Sequence, residues 1–406
     1  MKSGLLGRKL GHSYSPQIHA LMGTYSYDLF EKEPEEVGEF ILHGDFSGIN
    51  VTIPYKKDVI PYLDELSPLA QRMGAVNTIV RRSDGTLFGH NTDYFGFSSM
   101  VQRSGIQVAG KKVLVLGSGG ASNTAVKVLE DMGANVIIIS RSGENHYGNL
   151  FLHKDASVIV NTTPVGMYPN TGNSAVELSD FPGLEGVLDM IYNPARTKLM
   201  LDAERLELPH ENGLWMLVAQ AKEAAEYFGG NKLDDGLIAA VHRKLSVQMQ
   251  NIVLIGMPGC GKSTVASLLA NQLNRKLVDA DAEIVKLAGK PIPDIFAQEG
   301  ESAFRDYETK VLDHFAKQSC LVIATGGGCV TKERNYPLLH QNSSIVWLKR
   351  NLDQLPTDGR PLSQANKLAD MYTIRKPMYE AFADIVVDNN GTPEETVASI
   401  LAKLEG

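Results

Sequence analysis

Cysteine is scarce in this chain. Three residues in 406, Cys260, Cys320 and Cys329, all fall in one half. Their number is odd and their spacing fits no metal-ligand pattern, which argues against a disulfide framework and for reduced thiols. No apolar run approaches the roughly 18 residues that a membrane span needs. The N-terminus MKSGLLGRKLGHS lacks the apolar core of a signal peptide, so a cytoplasmic protein is expected. Basic runs are missing too: the net charge is -8, and neither nucleic acid nor a membrane surface is an expected partner. An anionic ligand must then be held by individual arginines and helix ends. There is no internal repeat, no low-complexity tract and no Gly/Ser- or Pro-rich linker, although the length suggests two or three domains.

What is present is a strong phosphate loop. In VLIGMPGCGKSTVA the apolar run Ile252 to Ile255 reads as a buried strand, Gly256 to Ser263 fits G-x-x-x-x-G-K-S, and VASLLANQL follows with helical spacing. The glycines let backbone N–H groups curl around a nucleotide phosphate, Lys262 adds a mobile positive charge, and the Ser263 hydroxyl is placed for Mg²⁺. A nucleotide is the implied donor, its phosphates meeting Gly259, Cys260, Gly261, Lys262, Ser263 and Thr264. The motif does not name the acceptor.

A second glycine-rich turn lies upstream in KKVLVLGSGGASNTAVKVLEDMGANVIIISR. A strand (Val113 to Leu116) enters Gly117, Gly119 and Gly120, a helix follows, and a second strand (Val136 to Ile139) closes a βαβ unit suited to a dinucleotide. After that second strand an NAD-binding fold presents an acid to the ribose 2′-hydroxyl. Here Ser140 and Arg141 stand in its place, and an arginine suits a 2′-phosphate, which favours NADP(H).

Ahead of this turn are four polar segments. GHSYSP carries Ser13 and Ser15 two apart, read as one side of an extended chain; NVTIPYK carries Thr52 and Lys56; GAVNT carries Asn77; HNTDYFG carries Asn91 and Asp93. Together with GSGGA, NTTPVGM, DMIYNPARTKL and GLWMLVAQA, they resemble shikimate dehydrogenase over residues 4–248. The resemblance implies reduction of 3-dehydroshikimate to shikimate by NADPH. It implies that Ser13 and Ser15 hold the substrate carboxylate, that Asn77, Asp93 and Gln220 hold ring hydroxyls with Thr52 nearby, and that Lys56 is the acid-base residue. An ammonium beside a carboxylate can protonate the alkoxide that hydride transfer leaves. The implied cofactor residues are Gly117, Ser118, Gly119, Gly120, Ala121 and Arg141, with Thr162, Met190 and Gly213 from the later segments. The family's N-R-T-x-x-R appears here as SRSGEN, so one phosphate-gripping arginine is missing.

Beyond the phosphate loop, KLVDADAEI puts Asp279 and Asp281 two apart at a strand end, facing the same way. AFRDYE offers Arg305 with Glu308 at i+3, ATGGGCV an apolar strand ending in Gly326, Gly327 and Gly328, GRPL gives Arg360, and R-x-P-x-Y-x-x-x-A-D begins at Arg375. The set resembles shikimate kinase over residues 251–404. The resemblance implies that the donor is ATP, served by Lys262 and Ser263, that Asp279 and Ser263 order magnesium, that Asp281, Arg305, Arg375 and Gly326 to Gly328 grip shikimate, and that Arg360 reaches the transferring phosphoryl from a lid. The segment LDQLPTDGRPL is short and acidic, and lacks the arginine that many relatives place before GRPL.

The expected architecture is α/β throughout. An N-terminal α/β substrate domain (residues 1–93 and 217–248) combines with a Rossmann-like NADP domain (94–216), followed by a P-loop, NMP-kinase-like parallel α/β domain (249–406). Two rival readings stay open at this point: a quinate/shikimate dehydrogenase fused to a kinase of another small alcohol, or a non-catalytic sensor of pathway intermediates. A sensor should have lost Lys56, Lys262 or Asp281, and all three are present.

Overall fold

The computed structural model describes residues 2–11, 13–23, 25–355 and 365–405. Arg360 and the other residues of GRPL lie outside the described residues. The chain divides into two units: Met1–Val165, Ser174–Tyr192 and Asp202–Leu245 form the first, and Gly166–Asn173, Asn193–Leu201 and Ser246–Gly406 the second. No described helix is long and apolar enough to cross a membrane.

The first unit holds two sheets. One contains β1 (Lys2–Gly7), β2 (Ser26–Glu31), β3 (Gly48–Val51), β4 (Glu65–Leu66), β5 (Thr78–Arg81) and β6 (Leu87–His90) in the order β2-β1-β3-β5-β6-β4. It is mixed, because β5 runs antiparallel to both β3 and β6. Ile49, Ile79, Leu6 and Tyr55 are buried in its core. The second sheet is wholly parallel. It contains β7 (Lys112–Leu116), β8 (Asn135–Ile139), β9 (Val158–Asn161), β10 (Gly186–Asp189) and β11 (His210–Asn212), ordered β11-β10-β9-β7-β8. The continuous apolar run of β7 is what a strand covered on both faces requires, and Val113 to Leu116 are fully buried.

The second unit is built on a parallel sheet of β12 (Asn251–Ile255), β13 (Lys276–Asp279), β14 (Leu321–Ala324), β15 (Ser343–Lys349) and β16 (Ile385–Asp388), ordered β13-β14-β12-β15-β16. In both parallel sheets the strand order reverses at the strand that feeds the glycine-rich turn, β7 or β12. Open α/β sheets form their ligand crevice at such a reversal, outside the carboxyl ends of the strands.

The division between units falls at Leu245/Ser246, inside the helix Gly236–Met249. The segment Asn193–Leu201 goes with the second unit for a visible reason. The Arg196 N–H donates to Gln341 O (2.8 Å), the Arg196 guanidinium to His340 O (3.0 Å), and the Ala195 N–H to Asn342 Oδ1 (3.1 Å). Nothing in the hydropathy of DMIYNPARTKL signals this. The helix Gly213–Gly229 is also continuous through residues 216 and 217, so a sequence boundary drawn there cuts one element in two.

Candidate active sites

The first unit contains a cavity of about 520 Å³. Its walls include Ser13, Ser15, Thr52, Lys56, Asn77, Asp93 and Gln220, drawn from five separate stretches of sequence. Ser13 and Ser15 reach it by a route the pleat argument missed. Ser15 is the first residue of a helix (Ser15–Met22), Tyr14 has helical backbone angles, and the Ser15 N–H donates to Ser13 Oγ at 3.2 Å. The segment is a helix start, not an extended strand, with Pro16 setting the first turn.

Lys56 and Asp93 pair on the wall of this cavity. The Lys56 ammonium donates to Asp93 Oδ2 at 2.5 Å, and Asn77 Nδ2 donates to the other oxygen, Oδ1, at 2.9 Å. Asn77 is itself fixed, because its Oδ1 accepts the Thr92 backbone N–H at 2.7 Å. Asp93 opens the helix Asp93–Ser104, where a negative charge also meets the positive helix end. The side chains of Lys56 and Asp93 remain 28% and 16% exposed, so the pair faces the cavity.

Ala121, Met190 and Gly213, expected at the dinucleotide, line this same first cavity. Asn50 and Tyr192 line it too and were not singled out from the sequence. Tyr27 Oη donates to Asn50 Oδ1 (2.7 Å), and burial raises the Tyr192 phenol above its ordinary value. Asn50 stands immediately before the V-T-I-P-Y-K run and Tyr192 within DMIYNPARTKL; position inside a quoted motif was their only signal.

A second cavity, about 630 Å³, lies at the strand-order reversal and is lined by Gly117, Ser118, Gly119, Ser140, Arg141, Tyr147 and Thr162 to Val165, among others. Gly120 begins the helix Gly120–Asp131, with Gly119 as its cap and no acidic residue in its first turn, which leaves the positive end of that helix available to a phosphate.

In the second unit the phosphate loop bends through left-handed glycines, with φ of 82° at Gly259 and 95° at Gly261. Lys262 is 8% exposed and donates to Gly256 O (2.9 Å) and Met257 O (3.0 Å). Cys260 is buried, and its carbonyl accepts from Asn389 Nδ2, a contact the sequence did not suggest. Thr264 is exposed in the first turn of the helix Lys262–Leu273. Ser263 Oγ donates to Asp279 Oδ2 at 3.0 Å.

Asp279 ends β13 and caps the helix Ala280–Ala288, accepting the Ala282 N–H at 3.1 Å; Asp281 is therefore a helical residue. The alternation argument that put both aspartates on one face of a strand is corrected by this helix start. Asp281 instead turns toward Gly326: a Cβ on Gly326 would lie 3.1 Å from Asp281 Oδ1 and 2.8 Å from Glu308 Oε1. A Cβ on Gly328 would lie 2.2 Å from Arg305 Nη2, so any side chain there would push the guanidinium aside. Arg305 Nη1 donates to Glu308 Oε2 at 2.8 Å. Arg375 Nη1 and Tyr379 Oη both donate to Gly327 O, at 3.0 and 2.5 Å. Tyr379 falls within R-x-P-x-Y, but no role had been read for it.

A shikimate kinase family model matches residues 258–405, and a model of the shikimate dehydrogenase substrate binding domain matches residues 5–79. A shikimate dehydrogenase (NADP(+)) of Clostridium perfringens is 37% identical over 264 residues, covering 60% of this chain and 97% of the relative. The chain belongs to the shikimate dehydrogenase family. A shikimate kinase domain follows in the same chain, so two enzyme activities are joined. Among solved structures, a shikimate dehydrogenase from Peptoclostridium difficile aligns with a TM-score of 0.54 at 37% identity, covering 60% of this chain and 97% of that one. A shikimate 5-dehydrogenase from Thermus thermophilus in complex with NADP(H) and shikimate aligns with a TM-score of 0.54 at 30% identity, covering 60% of this chain and 99% of that one.

Proposed function

We propose that the dehydrogenase unit reduces 3-dehydroshikimate to shikimate with NADPH, and that the kinase unit phosphorylates the 3-hydroxyl of shikimate with Mg²⁺-ATP. The observation that carries the first step is the Lys56–Asp93 pair, which shares its cavity with Ala121, Met190 and Gly213 from the dinucleotide side. Bound NADPH supplies the hydride. Lys56 donates its proton to the oxygen of the carbonyl being reduced and regains one from water, while Asp93, held by Asn77, keeps the ammonium aimed. Ser13 and Ser15 offer hydroxyls to the substrate carboxylate, and Thr52, Asn77 and Gln220 orient its ring.

For the second step, Mg²⁺-ATP supplies the phosphoryl group, with Lys262 and the loop amides at its phosphates. Ser263 and Asp279, already 3.0 Å apart, provide two oxygens for the cation. Among the described residues no cluster of three or more His, Cys, Asp or Glu side chains could hold a metal on its own. A magnesium ion at such a site is bound largely through phosphates and water. Arg305 and Arg375 receive the shikimate carboxylate, and Asp281 accepts the hydrogen bond of the reacting hydroxyl. Arg360 is assigned to the transferring phosphoryl from the sequence alone.

Incubation with 3-dehydroshikimate, NADPH, ATP and Mg²⁺, followed by mass spectrometry, tests both steps. Shikimate 3-phosphate is the expected product, stopping at shikimate without ATP. A folded preparation that yields neither compound overturns the reading, and equal turnover of quinate would redefine the ring specificity.

A further inference from the structure

The cavity at the strand-order reversal presents its ligand with an uneven set of donors. Four of the hydroxyls lining it are already committed: Thr162 Oγ1 donates to Leu116 O (2.6 Å), Thr163 Oγ1 to Asn161 Oδ1 (2.7 Å), Ser174 Oγ to Val176 O (2.7 Å), and Ser140 Oγ to Ser142 O. Three polar side chains on its wall make no hydrogen bond or ion pair among the described residues: Ser118, Arg141 and Tyr147. Ser118 belongs to the glycine turn after β7, where a pyrophosphate meets the helix end. Arg141 and Tyr147 are left at the other end, just past β8, where a dinucleotide fold places the ribose 2′ position.

Tyr147 is held there by its own loop. The Ser140 N–H donates to Asn145 O (3.3 Å), Ser140 forms a bridge with His146, and His153 Nε2 lies 2.9 Å from Asn145 Oδ1. The loop therefore doubles back to the end of β8, and Tyr147 emerges beside Arg141. Burial raises the Tyr147 phenol above its ordinary value while the nearby Arg141 charge works against it, so the hydroxyl keeps its proton at neutral pH and can donate.

We propose that Tyr147 is a cofactor-specificity residue: its hydroxyl and the Arg141 guanidinium together grip the 2′-phosphate of NADP(H). This rests on the NADP(H) reading above. A lone guanidinium satisfies two oxygens of a phosphate monoester, and a phenol beside it reaches a third, doing the work of the second arginine that SRSGENHYG lacks.

The test measures the affinities of 2′,5′-ADP and 5′-AMP as inhibitors competing with NADPH in the dehydrogenase reaction of the whole chain, with NADPH and NADH kinetics beside it. Wild type should bind 2′,5′-ADP more tightly than 5′-AMP. Tyr147→Phe should lose roughly tenfold in affinity for 2′,5′-ADP, the scale of one hydrogen bond to a charged group. Its 5′-AMP affinity and NADH KM should not change, and unchanged 5′-AMP binding also shows that the loop is folded. Wild-type affinity for 2′,5′-ADP in Tyr147→Phe overturns the proposal. So does a Tyr147→Ala variant that weakens both nucleotides equally while Tyr147→Phe weakens neither, since the ring would then be packing on the base. If wild type itself fails to distinguish the two nucleotides, the NADP(H) reading falls, a failure visible before any variant is made.

Discussion

Lys56–Asp93 and Arg305–Glu308 are both cation–carboxylate pairs beside a candidate ligand site, yet they are built to opposite ends. The first is short, 2.5 Å, and its members stay 28% and 16% exposed; the second, at 2.8 Å, is 8% and 0% exposed. An ammonium that must give up a proton and recover it needs contact with water. A guanidinium that must only present charge does not, because it cannot be deprotonated in a protein. Around the second pair, burial pulls the Arg305 pKa down, but Glu308 and Glu301 hold it above the usual value. Burial raises the Glu308 pKa from its ordinary value, with Arg305 and Arg375 pulling the other way. On the proposed function, the exposed dehydrogenase pair is built to handle a proton and the buried kinase pair to hold a fixed charge.

Exchanging the cations is the sharpest way to break this contrast. Lys56→Arg keeps the charge and the pairing but removes the transferable proton, so dehydrogenase turnover should fall by about 10²- to 10⁴-fold, as for Lys56→Ala. Phosphorylation of added shikimate should be unaffected. Retention of more than about a tenth of wild-type turnover in either variant, a loss far below that expected of a general acid, would remove Lys56 from the role.

Arg305→Ala strands Glu308 in the core. The kinase unit should lose about 3 kcal/mol of stability, as when one partner of a buried pair is removed, together with its activity. Arg305→Lys should restore most of the stability but not the grip on a carboxylate, which reads as a raised KM for shikimate in a normally melting protein. A lysine variant with wild-type KM would show that point charge, not bidentate geometry, is what this site needs.

A smaller effect separates the units by pH. His19 is buried against Tyr27 and Phe228 in the dehydrogenase unit, and burial lowers its pKa to about 3 from 6.5. The unfolded chain therefore takes up a proton that the folded chain refuses as pH falls from 6.5 toward 3. Stability from this residue is complete above pH 6.5 and about 2 kcal/mol is lost by pH 5. His19→Phe should flatten that acid slope in the calorimetric transition that NADP(H) shifts upward. An unchanged slope would assign the proton uptake elsewhere.

The smallest expected change is Gly328→Ala. The added methyl would meet Arg305 Nη2 at 2.2 Å, so the guanidinium must retreat and the KM for shikimate should rise roughly tenfold, the loss of about one charged hydrogen bond. Dehydrogenase kinetics serve as the internal control. An unaltered kinase KM would mean that Arg305 has room to move without loss.

Contiguous features were legible in the amino-acid order. Both strand–glycine–helix units are found as read, because steric freedom at glycine and the free N–H groups of the next helix are local properties of adjacent residues. The α/β class and the succession of a dehydrogenase and a kinase were also carried by such local motifs. Side-chain direction was not. Alternation assumes a strand, and it failed at Ser15 and Asp281 because each stands in the first turn of a helix whose start the neighbouring proline or aspartate sets.

What only the tertiary structure decided is which distant groups meet. Lys56 reaches Asp93 across 37 residues because β3, β5 and β6 pair side by side and bring the ends of three connections to one cavity. Asn50 and Tyr192 join them there with no spacing in the chain to announce it. The attachment of Asn193–Leu201 to the second unit rests on hydrogen bonds to residues more than 140 positions away. Sequence order constrains neighbours through backbone geometry, whereas contacts of this reach depend on strand register and helix packing, which the fold supplies only once the whole chain has closed on its cores.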